Sequence, residues 1–167
     1  MKSSLLMDFV VNKENKTITV KRAFAAERPL VWDAFTKPEI LDQWWAPKPW
    51  MNKTKSMDFR AGGSWLYAMV SPEGESHWCI LNYISIEPQN GYTATDAFVN
   101  AEGVVNKEMP QATWKSNFSS TDDGTLVVFD ISYDDLSQLE ATINMGFKEG
   151  FTMTLNSLDT LLETLKK

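Results

Sequence analysis

A chain of 167 residues suits one domain, and its 23% charged and 43% apolar residues are typical of a globular protein, which excludes a disordered or fibrous chain. Its formal net charge of -6 argues against sequence-independent binding of nucleic acid, because that requires several Lys or Arg side chains against phosphates. The longest uninterrupted apolar run, Trp65 to Val70, is far too short to span a bilayer. The only cysteine, Cys79, cannot form an internal disulfide, which indicates a reducing, cytoplasmic location.

The first elements in chain order are a strand and two short helices. Apolar and polar residues alternate from Lys16 to Ala26, which predicts a half-buried strand. Pro29 suits the first turn of a helix, and Pro38 ends that helix. A second short helix follows and ends at Pro47, since proline cannot continue a helical hydrogen-bond pattern.

The middle of the chain predicts an antiparallel sheet. Alternation with period two returns at Lys55 and continues on both sides of Gly62-Gly63, which is typical of a hairpin. Turn residues separate four further strands, predicted at Ser76 to Glu87, Tyr92 to Val99, Ala112 to Ser119 and Thr125 to Tyr133. The sheet is therefore expected to hold about seven strands.

The end of the chain has the strongest periodic signal. Apolar residues recur at spacings of three and four, at Leu139, Ile143, Phe147, Phe151, Leu155, Leu158, Leu162 and Leu165. This pattern predicts one continuous helix from about Gln138 to Leu165. Gly146 and Gly150 lie one turn apart inside it, and each destabilises a helix by about 1 kcal/mol. Close approach of another element, or room for a ligand, would offset that cost.

His77 and Cys79 are the first candidates for chemistry, because they share one face of a predicted strand. Two residues do not complete a zinc site, and the chain contains no other His or Cys. The same single histidine would have to serve any nucleophilic pair. We therefore expect no metal, no cofactor and no catalytic residue here.

A carboxyl and two arginines are weaker candidates. Asp96 shares a strand face with Phe98, and if that face points inward, burial would raise its pKa and make it an acid or base. The favoured interpretation is that Asp96 is solvated, since a lone acid on a strand is normally exposed. Arg22 falls on the apolar face of its strand, so it either has a partner there or lies near the end of the strand. Arg22 or Arg60 could orient a ligand carboxylate, but structural ion pairs explain each at least as well.

Several local strings, in this order, resemble the bacterial family related to the activator of the heat-shock-protein-ninety ATPase. They are Phe24-Ala25-Ala26 leading to Val31-Trp32-Asp33-Ala34-Phe35-Thr36, then Pro38-Glu39 with Trp44-Trp45-Ala46-Pro47, then Asp58-Phe59-Arg60-Ala61-Gly62-Gly63-Ser64-Trp65, and finally Met145-Gly146-Phe147-Lys148-Glu149-Gly150-Phe151. The family belongs to the START-like (SRPBCC) superfamily. The resemblance implies an α+β helix-grip fold over residues 1–167, in which a curved antiparallel sheet wraps around the C-terminal helix and two short helices follow the first strand.

The resemblance also implies an apolar cavity between sheet and helix. The aromatic residues and helix glycines that we expect to line it are Trp44, Trp45, Trp65, Tyr67, Trp78, Phe98, Trp114, Gly146, Phe147, Gly150 and Phe151. The leading hypothesis is binding of a small, mostly apolar ligand, aromatic or lipid-like. An enzyme of cyclase or hydrolase type, and a co-chaperone-like protein-interaction module, are the alternatives. The oligomeric state stays open, with a homodimer as one alternative.

Overall fold

A single antiparallel sheet of eight strands is the main element of residues 7–166, the part of the chain that the computed structural model describes. The strands are β1 (Met7–Asn12), β2 (Thr17–Phe24), β3 (Met51–Met57), β4 (Ser64–Val70), β5 (Ser76–Glu87), β6 (Gly91–Val99), β7 (Ala112–Thr121) and β8 (Gly124–Ser132). Their order across the sheet is β1-β2-β8-β7-β6-β5-β4-β3. The strands from β3 to β8 thus form a meander, and the hairpin of β1 and β2 pairs with its last strand.

Four helices complete the fold of the described residues. Helices α1 (Arg28–Thr36) and α2 (Pro38–Leu41) connect β2 to β3, while α3 (Leu136–Asn144) and α4 (Phe147–Leu165) follow β8. Helix α4 is amphipathic, and the side chains that it buries are Phe151, Thr154, Leu155, Leu158 and Leu162. This arrangement confirms the predicted α+β helix-grip fold, with a curved sheet holding the C-terminal helix. In the described part of the chain, no helix combines the length and apolar character needed to cross a bilayer.

The strand count differs from the prediction because β1 was missed. Residues 7–166 contain eight strands instead of about seven, and the two short helices follow the second of these and not the first. Strand β1 lies at the edge of the sheet and pairs only with β2, and its residues Val10 and Val11 are exposed. A short edge strand of this kind has little of the alternating burial that sequence patterns detect.

The predicted continuous C-terminal helix is wrong. Helix α3 ends at Asn144, and α4 begins at Phe147 after a break at Met145 and Gly146. Gly146 has a φ of +88°, the left-handed conformation that glycine adopts without steric penalty. The apolar stripe continues across the break because both helices bury residues against the same core.

Arg22 ties α4 to the sheet. It is 9% exposed, and its Nη1 donates a hydrogen bond of 2.8 Å to Oδ1 of Asn156 on α4. Its Nη2 lies 3.8 Å from a carboxylate oxygen of Asp159. Burial lowers the pKa of Arg22, while Asp159 acts in the opposite direction. The first of the two alternatives for this arginine, a partner on the buried side, is therefore confirmed.

Candidate functional site

A hydrogen-bond network, here called the Asp42 network, holds the segment after α2 against β3. Oδ1 of Asp42 accepts bonds from Asn52 Nδ2 (2.9 Å), from the Thr54 backbone N–H (3.0 Å) and from Thr54 Oγ1 (2.7 Å). The Thr54 hydroxyl in turn accepts a bond of 3.0 Å from Trp65 Nε1. Because three donors converge on one carboxylate oxygen, the network fixes the path of the chain that leads to Trp45.

Between the sheet and the C-terminal helices lies a cavity of about 280 Å³. Strands β4 to β8 form one wall, and residues 142–154 of α3, the helix break and α4 form the other. Pro47 and Pro110 contribute from the two neighbouring loops. Met145, at the break, is 53% exposed although it also lines the cavity.

Aromatic rings form much of the wall. Phe147 and Phe151 stack with ring centroids 5.2 Å apart, and the Trp114 ring meets Phe151 edge-on at 5.5 Å. Trp45 approaches the edge of Phe151 at 6.3 Å, and Phe129 lies 5.2 Å from the same ring. Edge-to-face packing of this kind holds rings in defined positions, so the wall is preorganised.

Asp96 is the one carboxyl among the described residues that line the cavity. Its cross-strand neighbours Leu81 and Ala112 are both buried, so the register places the carboxyl on the inner face. Oδ1 accepts a hydrogen bond of 2.9 Å from the Ala112 backbone N–H, and Oδ2 accepts one of 2.9 Å from Trp114 Nε1. Burial raises the pKa of Asp96 to about 6, although these two donors act in the opposite direction. The expectation that Asp96 is solvated is thus wrong.

Further polar groups lie near this carboxyl. Burial raises the pKa of the Cys79 thiol to about 12, and the nearby Asp96 adds to the effect. Burial likewise holds the pKa of Tyr67 well above its ordinary value, with Cys79 adding to it and the Trp45 side chain acting in the other direction. The Trp45 indole N–H does not reach hydrogen-bond geometry with Tyr67, and it finds no acceptor within residues 7–166 although Nε1 is buried. A buried donor without an acceptor is rare in folded proteins.

Eight of the eleven residues expected at the cavity lie at its wall. They are Trp45, Tyr67, Phe98, Trp114, Gly146, Phe147, Gly150 and Phe151. Trp44, Trp65 and Trp78 do not, and this part of the expectation needs correction.

The physical reasons differ for these three tryptophans. Trp44 packs under α1, where its Nε1 donates a bond of 2.9 Å to the Ala34 carbonyl. Trp65 belongs to the Asp42 network and is 1% exposed behind Trp45, with the two ring centroids 5.6 Å apart. Trp78 lies on the opposite face of β5 from Cys79, where the Lys55 ammonium sits 5.7 Å from its ring centroid.

The sequence interpretation did not expect Cys79 at the wall and favoured a solvated Asp96, but both residues line the cavity. A signal for Cys79 was present, since alternation from Leu81 along β5 sends both residues to one face. His77 follows the same alternation but lies at the exposed end of the strand, where its Nε2 is 2.7 Å from Glu75 Oε2. No group of three His, Cys, Asp or Glu side chains suited to a metal ion occurs among residues 7–166.

Arg60, the other candidate for a ligand carboxylate, lies outside the cavity. Its Nε donates a bond of 2.7 Å to Asp58 Oδ2, and both side chains are more than half exposed. Neither arginine considered for ligand binding therefore faces the cavity, since Arg22 is held by α4.

The two helix glycines differ in role. Gly146 forms the break between α3 and α4. Gly150 has an ordinary helical conformation, and the nearest described atom to an added Cβ, outside its own helix backbone, would be Pro47 Cγ at 4.0 Å. Gly150 therefore leaves open space beside the cavity and does not serve tight contact with the sheet.

A curved antiparallel sheet closed over a C-terminal helix defines a protein of the helix-grip class. The model of the family described as Activator of Hsp90 ATPase homolog 1-like protein matches residues 25–163, and the chain belongs to this family. The resemblance noted in the sequence is thereby confirmed. No curated protein matches the chain.

Solved structures support the same assignment. A protein from Mycobacterium smegmatis is 25% identical, with a TM-score of 0.86 over 95% of this chain and 96% of that one. A protein from Nitrosomonas europaea is 27% identical, with a TM-score of 0.79 over 91% of this chain and 97% of that one. A protein from Arthrobacter aurescens has a TM-score of 0.88 over 94% and 91% of the two chains, and at 20% identity it shows the fold alone.

Proposed function

We propose that this protein binds a small, mostly apolar molecule, aromatic or lipid-like, in the cavity between the sheet and α4. The observation that carries the proposal is a cavity of about 280 Å³ with a largely aromatic wall. A cavity of about 150 Å³ lined by apolar side chains is large enough for benzene, so this volume suits a molecule of roughly two rings. Ligand sites of proteins are typically apolar pockets with a few convergent polar groups.

The buried N–H of Trp45 supports the same proposal. It lacks an acceptor within residues 7–166, and leaving such a donor unpaired destabilises a protein by about 1–3 kcal/mol. An ordered water in the cavity, a ligand oxygen or the face of a ligand ring would supply the missing acceptor. The open volume also favours ligand binding over the interaction-module alternative, for which a small or filled cavity is expected.

Two measurements test this function. Native mass spectrometry of freshly purified protein should detect a bound small molecule that is lost on denaturation. Calorimetric titration with 1-naphthalenemethanol, a neutral two-ring probe, should show saturable binding of one molecule per chain. A protein that carries no small molecule and takes up no probe would contradict the proposal.

A second candidate function, acid–base catalysis of cyclase or hydrolase type, is supported by Asp96. Burial raises the pKa of this carboxyl to about 6, which suits a general base near neutral pH. Both of its oxygens already accept structural hydrogen bonds, which favours binding over catalysis. If Asp96 is catalytic, solvent extracts of wild-type protein and of Asp96→Asn should contain compounds of different mass, since the variant would retain unconverted substrate. Identical extracts would argue for binding alone.

We further propose that residues 1–167 act as one domain in the cytoplasm. The free thiol of Cys79 is compatible with a reducing compartment. Limited proteolysis should leave the chain resistant as a unit, and cell fractionation should recover it with cytoplasmic markers. Early cleavage into two stable fragments, or recovery outside the cytoplasm, would contradict this.

A further inference from the structure

The ionisable side chains at the cavity wall can supply negative charge but no positive charge. Among the described residues that line it, none is Lys, Arg or His, and Asp96 is the only carboxyl. The other ionisable groups at the wall are the three tyrosines Tyr67, Tyr92 and Tyr133 and the thiol of Cys79. Each of these has a pKa raised mainly by burial, so all four are neutral near pH 7. The cavity thus offers negative charge and no positive charge to a ligand.

Asp96 has capacity for a further hydrogen bond. A carboxylate provides about four lone-pair sites, and Asp96 uses one on each oxygen for Ala112 and Trp114. The remaining sites can accept hydrogen bonds from a ligand. A buried carboxylate with no cation beside it is destabilised by desolvation, and the attraction of a ligand cation would offset part of that penalty.

The aromatic rings of the wall also favour a cationic ligand. The faces of Trp, Tyr and Phe rings carry negative electrostatic potential, and they attract ammonium groups within about 6 Å of the ring centroid. Trp45, Trp114 and Tyr67 all line the cavity with Asp96. An organic anion would meet both the carboxylate and these ring faces without a compensating positive charge.

We propose that the cavity selects a small organic amine with an apolar body of about two rings, whose ammonium group pairs with Asp96, and that it rejects organic anions. This inference rests on the proposed ligand-binding function and narrows its ligand class. Fatty acids and aromatic carboxylates are excluded as ligands at neutral pH.

Three probes with one naphthalene skeleton test the selectivity by calorimetry at pH 7.5. They are 1-naphthylmethylamine, 1-naphthalenemethanol and 1-naphthoate, which are cationic, neutral and anionic. We expect the amine to bind at least tenfold more tightly than 1-naphthoate, with the alcohol between them. Equal affinities, or tighter binding of 1-naphthoate, would overturn the selectivity while leaving the binding function intact. No binding by any of the three would overturn both proposals.

The dependence on pH tests the role of Asp96 without a variant. The amine remains charged from pH 5 to pH 7.5, so a fall in its affinity toward pH 5 reports protonation of the carboxyl that it pairs with. As the pH falls from 7.5 to 5, the affinity for 1-naphthoate should rise, and the affinity for the alcohol should change less than threefold. An amine affinity that is independent of pH would contradict the pairing.

Two variants complete the test. Asn can accept only one of the two hydrogen bonds that Asp96 accepts from Ala112 and Trp114, so the alcohol is measured as a control for disturbance of the wall, and Asp96→Asn should lower the affinity for the amine at least tenfold more than that for the alcohol. Asp123→Asn removes the same charge from the exposed turn between β7 and β8, and it should change neither affinity by more than twofold. If both variants weaken amine binding equally, a long-range charge effect explains the preference and the contact with Asp96 is refuted. If Asp96→Asn does not fold, the probe series and its pH dependence still decide the proposal.

Discussion

Replacement of Gly150 by leucine tests whether α4 borders open space. A new side chain at this position starts with its Cβ 4.0 Å from Pro47 Cγ, an ordinary van der Waals contact, and then extends along the cavity wall. If the space is open, the leucine fills it. The variant should then lose ligand binding and keep its fold.

The expected change in stability follows from three terms. Leucine has a higher helix propensity than glycine by up to about 1 kcal/mol. Burial of its side chain in the cavity contributes about 1.5 kcal/mol or more, and loss of its rotamer freedom costs about 0.5–1 kcal/mol. We therefore expect Gly150→Leu to raise the free energy of unfolding by about 1–2 kcal/mol.

Urea unfolding measures that change, and calorimetric titration with 1-naphthalenemethanol measures the binding. Affinity for the probe should fall at least tenfold in Gly150→Leu. Gly150→Ala is the matched control, because it gains nearly the same helix propensity but adds only a methyl group to the wall. It should be stabilised by up to about 1 kcal/mol and keep most of its affinity. A leucine variant that is destabilised by more than about 1 kcal/mol, or that binds the probe like wild type, would refute the reasoning.

Three further predictions concern Gly146, Asp96 and Arg22. Gly146→Ala should destabilise the protein by about 1–2 kcal/mol in urea unfolding, because alanine is strained at a φ of +88°. Since the pKa of Asp96 is raised by burial to about 6, its contribution to stability is greatest below about pH 4 and is lost as pH rises through 6. Relative to Asp96→Asn, wild type should lose up to roughly 3 kcal/mol between pH 4 and pH 7 in unfolding experiments. Arg22→Ala should lower the free energy of unfolding by about 2–4 kcal/mol, since it leaves Asp159 partly buried without its cation.

Each of the three predictions has a control or a result that would contradict it. Unchanged stability of Gly146→Ala would mean that the chain can continue the helix through the break. A pH profile of wild type parallel to that of Asp96→Asn would show that Asp96 titrates normally. Arg60→Ala, which breaks an exposed ion pair with Asp58, should lower the free energy of unfolding by less than about 1 kcal/mol. If Arg22→Ala lowers it by the same amount, the buried arginine has no special role in stability.

The sheet was largely predictable because alternation with period two is a local signal. The strand Ser76–Glu87 was predicted with the bounds that the structure has, and β6, β7 and β8 differ from prediction by one or two residues at an end. The break at Gly146 was not predictable from the apolar stripe, since two helices that face one core carry the same spacing as a single helix.

The cavity wall was predictable only in part, because it depends on register between distant strands. Asp96 faces inward since Leu81 and Ala112 flank it in the sheet, and the donors that hold it lie 16 and 18 residues further along the chain. The sequence alone does not distinguish the adjacent residues Trp44 and Trp45 as candidates for the cavity wall. In the structure Trp44 packs under α1, away from the cavity, and Trp45 lies at the wall.

The Asp42 network has a consequence for how this scaffold can change. Asp42, Asn52 and Thr54 hold the chain next to Trp45, yet none of them touches the cavity. In the described structure the wall residue Phe98 takes no part in the hydrogen bonds of this network, whereas Met69 lies directly opposite Asn52 in the sheet. Under the proposed binding function, a substitution of Phe98 changes the shape of the cavity while this frame persists, so it should change ligand specificity without redesign of the fold.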